Sequence, residues 1–262
     1  MSDFCFIIPS YCKTYAHTIL LRTCVDRIRK YHDNQIYIIN DFSSEDLDHA
    51  VEGYSDVTVL LSQAKGVGEI LPYMHFKSLD FERAVIMHDS MFLETALEGV
   101  DDIWTMRHLW HFTNHRLQWH TIKEPVSDYN TQHGIVTHDD LILHRINNDI
   151  KNSSFKEWLL HIYLAKQSWS GSFGCQSIMT KSFLNHLEEK TNIIDTLSKY
   201  TAKRDRMVSE SLFALACQYC TAKQASELSY DGLYYDGVNT QQGRTRSVIC
   251  KKKYFSKVTM GR

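Results

Sequence analysis

Proline is scarce in this chain, 3 of 262 residues, and the 11 glycines nowhere join it in a linker-like stretch. One domain over residues 1–262, irregular in its middle, is the expected organisation. No run reaches the roughly 18 consecutive apolar residues that a membrane-spanning helix needs. Met1-Ser2-Asp3 leads straight into an apolar strand pattern, without the basic and apolar regions of a secretory leader. A dominant sign of charge is also lacking: 29 Lys and Arg stand against 31 Asp and Glu, a formal charge of -2. That balance gives no general pull toward nucleic acid or anionic membrane. Seven cysteines are an odd number, too sparse for a secreted disulfide scaffold. Cys217 and Cys220 form the single C-x-x-C, inside a helical pattern and with no second pair nearby. A cytoplasmic, reduced protein without nucleic-acid partner or transmembrane segment is expected.

Several catalytic signatures are missing as well. There is no G-x-S-x-G nucleophile elbow, which ranks a serine hydrolase low. Gly66-Val67-Gly68-Glu69 lacks the Lys-Ser/Thr ending of a phosphate-binding P-loop and the full G-x-G-x-x-G, so it reads first as a tight turn. No internal repeat or low-complexity tract appears.

What is present is 43% hydrophobic residues in a regular alternation. Phe4–Pro9 (FCFIIP) is a continuous apolar run, as in a strand buried on both faces. Ile19, Leu20, Cys24, Ile28 and Tyr31 then recur at helical spacing. Gln35–Asn40 and Val57–Leu61 read as further strands, and Ser43 or Ser44 as a helix N-cap after the first of them. A helix is expected from about Glu69 to Asp80, and a fourth strand over Arg83–Met87. Strand alternating with helix is the signature of a mostly parallel sheet. The second half is less regular: one or two short strands over Gly134–Ile146, a glycine-punctuated loop at Ser170–Gly174, and helices over Lys181–Glu189 and from Asp205 to about Ala222.

Polar residues close the apolar runs where open α/β sheets bind ligands. These are Pro9, Ser10 and Tyr11 after the first strand, Asp41 after the second, and His88, Asp89 and Ser90 after the fourth. A carboxylate directly after a buried strand is costly unless hydrogen bonds, water or a cation satisfy it. For either aspartate alone, the start of a turn is explanation enough. Two in one regular pattern favour a ligand site.

The stretches FIIPSY, IINDFSSED and AVIMHDS resemble the donor-binding half of GT-A-fold glycosyltransferases. The resemblance covers residues 4–93 best. It implies an α/β, three-layer sandwich with a mostly parallel central sheet and flanking helices, residues 1–100 forming the nucleotide-binding half and 101–262 the acceptor-side half with its basic tail. It further implies that Tyr11 packs on a nucleotide base and that Asp41 hydrogen-bonds base or ribose. Asp89 would hold Mn2+ or Mg2+ against the diphosphate. The family's D-x-D reads His88-Asp89-Ser90 here, with one certain carboxylate. A diphosphate leaving group needs positive charge in the transition state. The alternative source is the basic tail, Lys253 or Lys257 and Arg262 folding back over the phosphates, where Arg244, Arg246, Lys251 and Lys252 also stand. The glycine turn after the third strand would line the donor sugar and ribose, with Lys65 or Glu69 reaching in. The expected activity is transfer of a sugar from a nucleoside-diphosphate sugar, UDP-type favoured, to a hydroxyl of a carbohydrate acceptor, inverting rather than retaining.

Such a transfer needs a carboxylate base on the acceptor side. Glu210 is the first candidate and Asp205 the second; five residues apart, they do not share a helix face. Trp169 and Phe173 offer aromatic faces to a sugar. His108, His111 and His115 would share one face if Met106–Trp119 were helical, but with interleaved tryptophans and no H-E-x-x-H they read as packing or acceptor contacts rather than metal ligands. The alternative functions are a nucleotidyltransferase acting on sugar phosphates and an inactive nucleotide-sugar-binding module.

Overall fold

The structure is a computed structural model describing residues 4–62, 64–113, 138–164, 170–223, 227–230, 248–251 and 254–259. Its centre is a six-stranded sheet. Strands β1 (Phe4–Ser10), β2 (Ile36–Asn40), β3 (Val57–Leu61) and β4 (Arg83–Ile86) are parallel and lie in the order β3-β2-β1-β4. Beyond β4, order and sequence part: an antiparallel β9 (Ser177–Thr180) pairs with it, and β6 (Met106–His108) pairs with β9 in turn. The sheet is thus mostly parallel, with helices on both faces.

Alternation along β1 shows how the two faces are filled. Phe4, Phe6 and Ile8 join one apolar cluster with Leu21, Cys24, Val25 and Ile28 of helix α1 (Tyr15–Arg29). Cys5 and Ile7 face the other way, into a larger cluster built from the later helices. These are α4 (His138–Asp149), α5 (Ser153–Leu164), α6 (Lys181–Thr191), α7 (Ile193–Leu197) and α8 (Lys203–Thr221), after the short α2 (Leu47–Ala50) and α3 (Leu71–His75). In α8, Leu212 to Cys217 are all fully buried, so the middle of this helix is apolar all round and lies in the interior. Two small antiparallel sheets complete the fold. In one, β11 (Phe255–Thr259) lies between β5 (Met91–Leu93) and β10 (Val248–Lys251) and pairs with both; the other pairs β7 (His111–Thr113) with β8 (Ser170–Ser172).

Several sequence expectations are corrected. The one or two short strands expected over Gly134–Ile146 are not found where that stretch is described: from His138 it is helix α4, because Ile142 and Ile146, one turn apart, both bury against the larger cluster. Met106–Trp119 is not helical where it is described. His108 and His111 fall on separate strands, β6 and β7, while His115 and Trp119 lie outside the described residues. The helix expected from Glu69 to Asp80 is a turn of 3-10 helix, Gly68–Ile70, followed by the five residues of α3. Ser170–Gly174 is not all loop, since Ser170–Ser172 pairs as β8. The N-cap of α2 is Asp46, whose side chain accepts from His49 N, rather than Ser43 or Ser44. Cys217 and Cys220 are both free thiols on α8. No helix among the described residues is long and apolar enough to cross a membrane.

Candidate functional site

The order β3-β2-β1-β4 fixes where a ligand can enter. From β1 the chain winds outward to β3, then returns to place β4 on the other side of β1, so crossovers diverge at the carboxyl ends of β1 and β4 and leave a crevice. Pro9 helps to open it. The carbonyl of Ile7 points toward β4, where it accepts Met87 N, and Pro9, two residues on, points the same way but has no N–H to give. Pairing between β1 and β4 ends at Ile7–Ile86. Ser10 then donates its hydroxyl hydrogen to Asp89 Oδ2 at 2.9 Å, bridging the two strand ends.

A cleft of about 330 Å³ lies over this point, and most of the residues expected from the sequence meet in it: Pro9, Ser10, Tyr11, Asp41, Lys65, His88 and Asp89. Tyr11 stands partly exposed on its rim, whereas Asp41 and Asp89 are buried. The loops that carry them are tied together. Ser43 Oγ accepts Cys12 N at 2.8 Å, and Cys12 O accepts the N–H groups of Ser44 and Glu45. Ser43 N in turn donates to Asn40 Oδ1.

Asp41 shows what this environment does to a carboxylate. Burial pushes its pKa up, and four groups oppose that: the N–H of Gly66, the Arg206 guanidinium, the N–H of Gly68 and the Lys65 ammonium, in falling order. The Gly66 bond is 2.8 Å long. Gly66 and Gly68 have φ of 79° and 54°, so the turn takes the left-handed conformation that glycine allows, and it aims backbone N–H groups at Asp41. Lys65 Nζ lies 5.9 Å from the centroid of the Phe42 ring, which holds the ammonium near the cleft.

Arg206 is a cleft residue that sequence reasoning passed over. It lies on α8 and lines the cleft, packed so closely over the turn that a Cβ on Gly68 would meet Arg206 Nη1 at 2.8 Å. The signal was available: Arg206 stands one helical turn before Glu210, on the same face. Glu69 also lines the cleft, and its Oε2 is buried with no hydrogen-bond partner.

The two base candidates separate. Glu210 Oε1 accepts Gly174 N at 2.8 Å, while the carbonyl of the same glycine lies 3.1 Å from His88 Nε2. Glu210 thus sits one peptide unit behind a cleft-lining side chain. Asp205 instead forms an ion pair with Arg145 of α4 at 2.8 Å, and neither carboxylate itself lines the cleft. Ser90 follows Asp89 in the turn before β5. Lys257 belongs to β11, opposite Met91, whereas Lys253, Arg262 and Trp169 lie outside the described residues.

Among the described residues, no group of three or more His, Cys, Asp or Glu side chains is placed to hold a metal ion. Asp89 has one carboxylate oxygen engaged by Ser10, so these side chains do not by themselves build a cage for Mn2+ or Mg2+.

No protein-family model matches the sequence, and no curated protein does. Among solved structures, TarS 1-349 of S. aureus superposes with a TM-score of 0.42 at 10% identity, over 82% of this chain and 55% of that one. The same protein in complex with UDP-GlcNAc gives 0.31 at 16% identity, over 38% of this chain and 29% of that one. The mannosyltransferase PcManGT from Pyrobaculum calidifontis, in complex with GDP-Man and Mn2+, gives 0.31 at 14%, over 37% and 30%. The chain thus covers less than two thirds of each. Likenesses this slight carry no argument about the site, and the function proposed below stands on the cleft.

Proposed function

We propose that this protein is a glycosyltransferase that takes a sugar from a nucleoside-diphosphate sugar, UDP-type favoured, and attaches it to a hydroxyl of a carbohydrate acceptor. The observation that carries this reading is the meeting of Tyr11, Asp41, Lys65, His88, Asp89 and Arg206 in one cleft at the switch point of a mostly parallel sheet. A nucleotide needs three things there, and the cleft supports each. Tyr11 offers an aromatic face to the base. Asp41 offers an acceptor to base or ribose, backed by the Gly66 N–H. Lys65 and Arg206 offer positive charge to the diphosphate as it leaves.

In this reading residues 1–100 form the donor half and 101–262 the acceptor half. The acceptor oxygen bonds to the anomeric carbon as the bond to the β-phosphate oxygen breaks. The electron pair departs with the nucleoside diphosphate, and the acceptor's proton passes to a carboxylate, with inversion at that carbon. Glu210 is the base we assign, since it stands behind Gly174 and His88 at the cleft wall, whereas Asp205 is held by Arg145. A divalent ion at Asp89 would take most of its coordination shell from phosphate oxygens and water. Charge stabilisation is therefore assigned first to Arg206 and Lys65.

A thermal-shift panel of nucleoside diphosphates and nucleotide sugars, with and without Mn2+, tests the reading. Stabilisation by UDP or GDP forms supports it and names the base. No stabilisation by any nucleoside diphosphate would sink it. A nucleotidyltransferase would instead release pyrophosphate from a nucleoside triphosphate and a sugar phosphate.

A further inference from the structure

Trp104 leaves 78% of its surface to solvent, more than any other large hydrophobic side chain among the described residues. Isolated exposed hydrophobics are ordinary, but this one is held in place. The Arg83 guanidinium lies over the indole, 5.8 Å from its centroid. Arg83 is itself buried, its Nε donating to Ile103 O at 3.1 Å and its Nη1 pairing with Glu82 at 3.0 Å. A fixed cation over one face leaves the opposite face of the ring open and oriented.

Beside it opens a second groove, of about 400 Å³. Phe183 gives it a buried apolar wall, while Ser182, His186, Thr221 and Lys223 bring hydroxyl, imidazole and ammonium groups to it. Among the described residues, no carboxylate lines it. The backbone is constrained at the same place: Ala222, just past the end of α8, holds φ at 56° although it is not glycine, and Lys223 N turns back to Thr221 Oγ1 at 3.3 Å. This left-handed residue ends α8 in a way common at helix C-termini and fixes where Thr221 and Lys223 stand.

We propose that this groove binds an oligosaccharide, one pyranose ring stacking its C–H face on Trp104 while its hydroxyls reach Ser182, His186 and Thr221. The chemistry follows from the mixture. A π face wants a flat ring with polarised C–H groups, and neutral donors and acceptors around it want hydroxyls. One ammonium and no carboxylate among the described lining residues disfavour a cationic ligand. Arg83, against which Trp104 lies, starts β4 and Asp89 lies just beyond its end, so at the rise of a strand the groove is roughly 20 Å from the cleft. It is a separate site and does not depend on the cleft being a nucleotide site.

The test is saturation-transfer NMR and tryptophan fluorescence on the full chain with cellohexaose, maltohexaose, chitohexaose and hexagalacturonate. At least one should bind with a Kd of about 1 mM or tighter, and Trp104→Ala should weaken it by at least about tenfold. Trp104→Phe, which keeps an aromatic face, should retain part of the binding, and circular dichroism establishes that each variant is folded. Binding of hexagalacturonate alone, lost in Lys223→Ala but kept in Trp104→Ala, would overturn the proposal in favour of simple charge attraction. So would a folded wild-type chain that binds none of the four.

Discussion

Ser10 and Asp89 join the ends of β1 and β4 by a 2.9 Å hydrogen bond at the one place in the sheet where neighbouring crossovers diverge. The bond leaves Asp89 buried with its charge partly compensated. Asp89→Ala should therefore remove any Mn2+-dependent part of nucleotide stabilisation while leaving the metal-free part, which rests on Arg206 and Lys65. Melting curves with UDP or GDP, with and without Mn2+, measure both parts. If Asp89→Ala retains the full Mn2+ effect, Asp89 does not hold the ion.

Asp41 gives a prediction in pH. Burial raises its folded-state pKa above the ordinary carboxylate value, so the ionised form is disfavoured by folding. A raised carboxylate pKa contributes stability at acid pH that is lost as pH rises through the folded value. Asp41→Asn should then leave the melting temperature of the free protein at neutral pH unchanged or higher. The same substitution should weaken nucleotide binding, and wild-type affinity should fall in acid at a higher pH than an ordinary aspartate would give. Titration calorimetry across pH on both proteins reads this directly.

Arg206→Ala should raise the Kd for a nucleoside diphosphate on the order of 10- to 100-fold, the range for losing a charge-assisted hydrogen bond. Arg206→Lys should recover only part of the loss, since an ammonium cannot make the guanidinium's forked contact. The corresponding nucleoside, without phosphates, should bind both variants as it binds wild type. An equal loss for the nucleoside would place Arg206 at the base instead.

The first half of the fold was legible because buried parallel strands are written as unbroken apolar runs. FCFIIP, QIYIIN, VTVLL and RAVIM each lie on a strand of the sheet, and the polar residues that close three of them mark the cleft. Later elements were harder to read for physical reasons. Strands β6 to β8 are three residues each, too short to show alternation, and are held by pairing with distant partners. Helix α4 begins among residues whose spacing suits a short strand as well, and only its packing on the larger cluster decides. Spacing to Glu210 gives the face of Arg206 but not its neighbour, because the turn it packs over, Gly66–Gly68, lies about 140 residues earlier in the chain.

Gly174 tests the wall between cleft and base. Its φ is 60°, and a Cβ there would meet His88 Cε1 at 2.5 Å and Gln176 Nε2 at 2.9 Å. Gly174→Ala should cost on the order of 2–4 kcal/mol, from the left-handed backbone together with overpacking. It should also displace His88 and disturb the Gly174–Glu210 hydrogen bond. Denaturant unfolding gives the first effect. If the variant unfolds like wild type, the close approach of His88 to Gly174 is not present in solution.

His108 is fully buried on β6, and neither ring nitrogen has a hydrogen-bond partner among the described residues. Burial first, and then the neighbouring His111, push its pKa down from 6.5 to about 3. The folded protein therefore refuses a proton that the unfolded chain accepts below about pH 6.5. Over that window the unfolded state binds one more proton at this residue, so stability rises with pH and is lost as pH falls, by on the order of 1.4 kcal/mol per pH unit. Other histidines shift in the same direction, so the informative quantity is a difference between proteins. His108→Leu replaces the ring with an apolar side chain of similar volume and leaves no orphaned nitrogen. Relative to wild type it should gain about 2 kcal/mol between pH 7.5 and pH 5 by urea unfolding. Parallel pH curves for the two proteins would mean that His108 has a partner, or water, in solution.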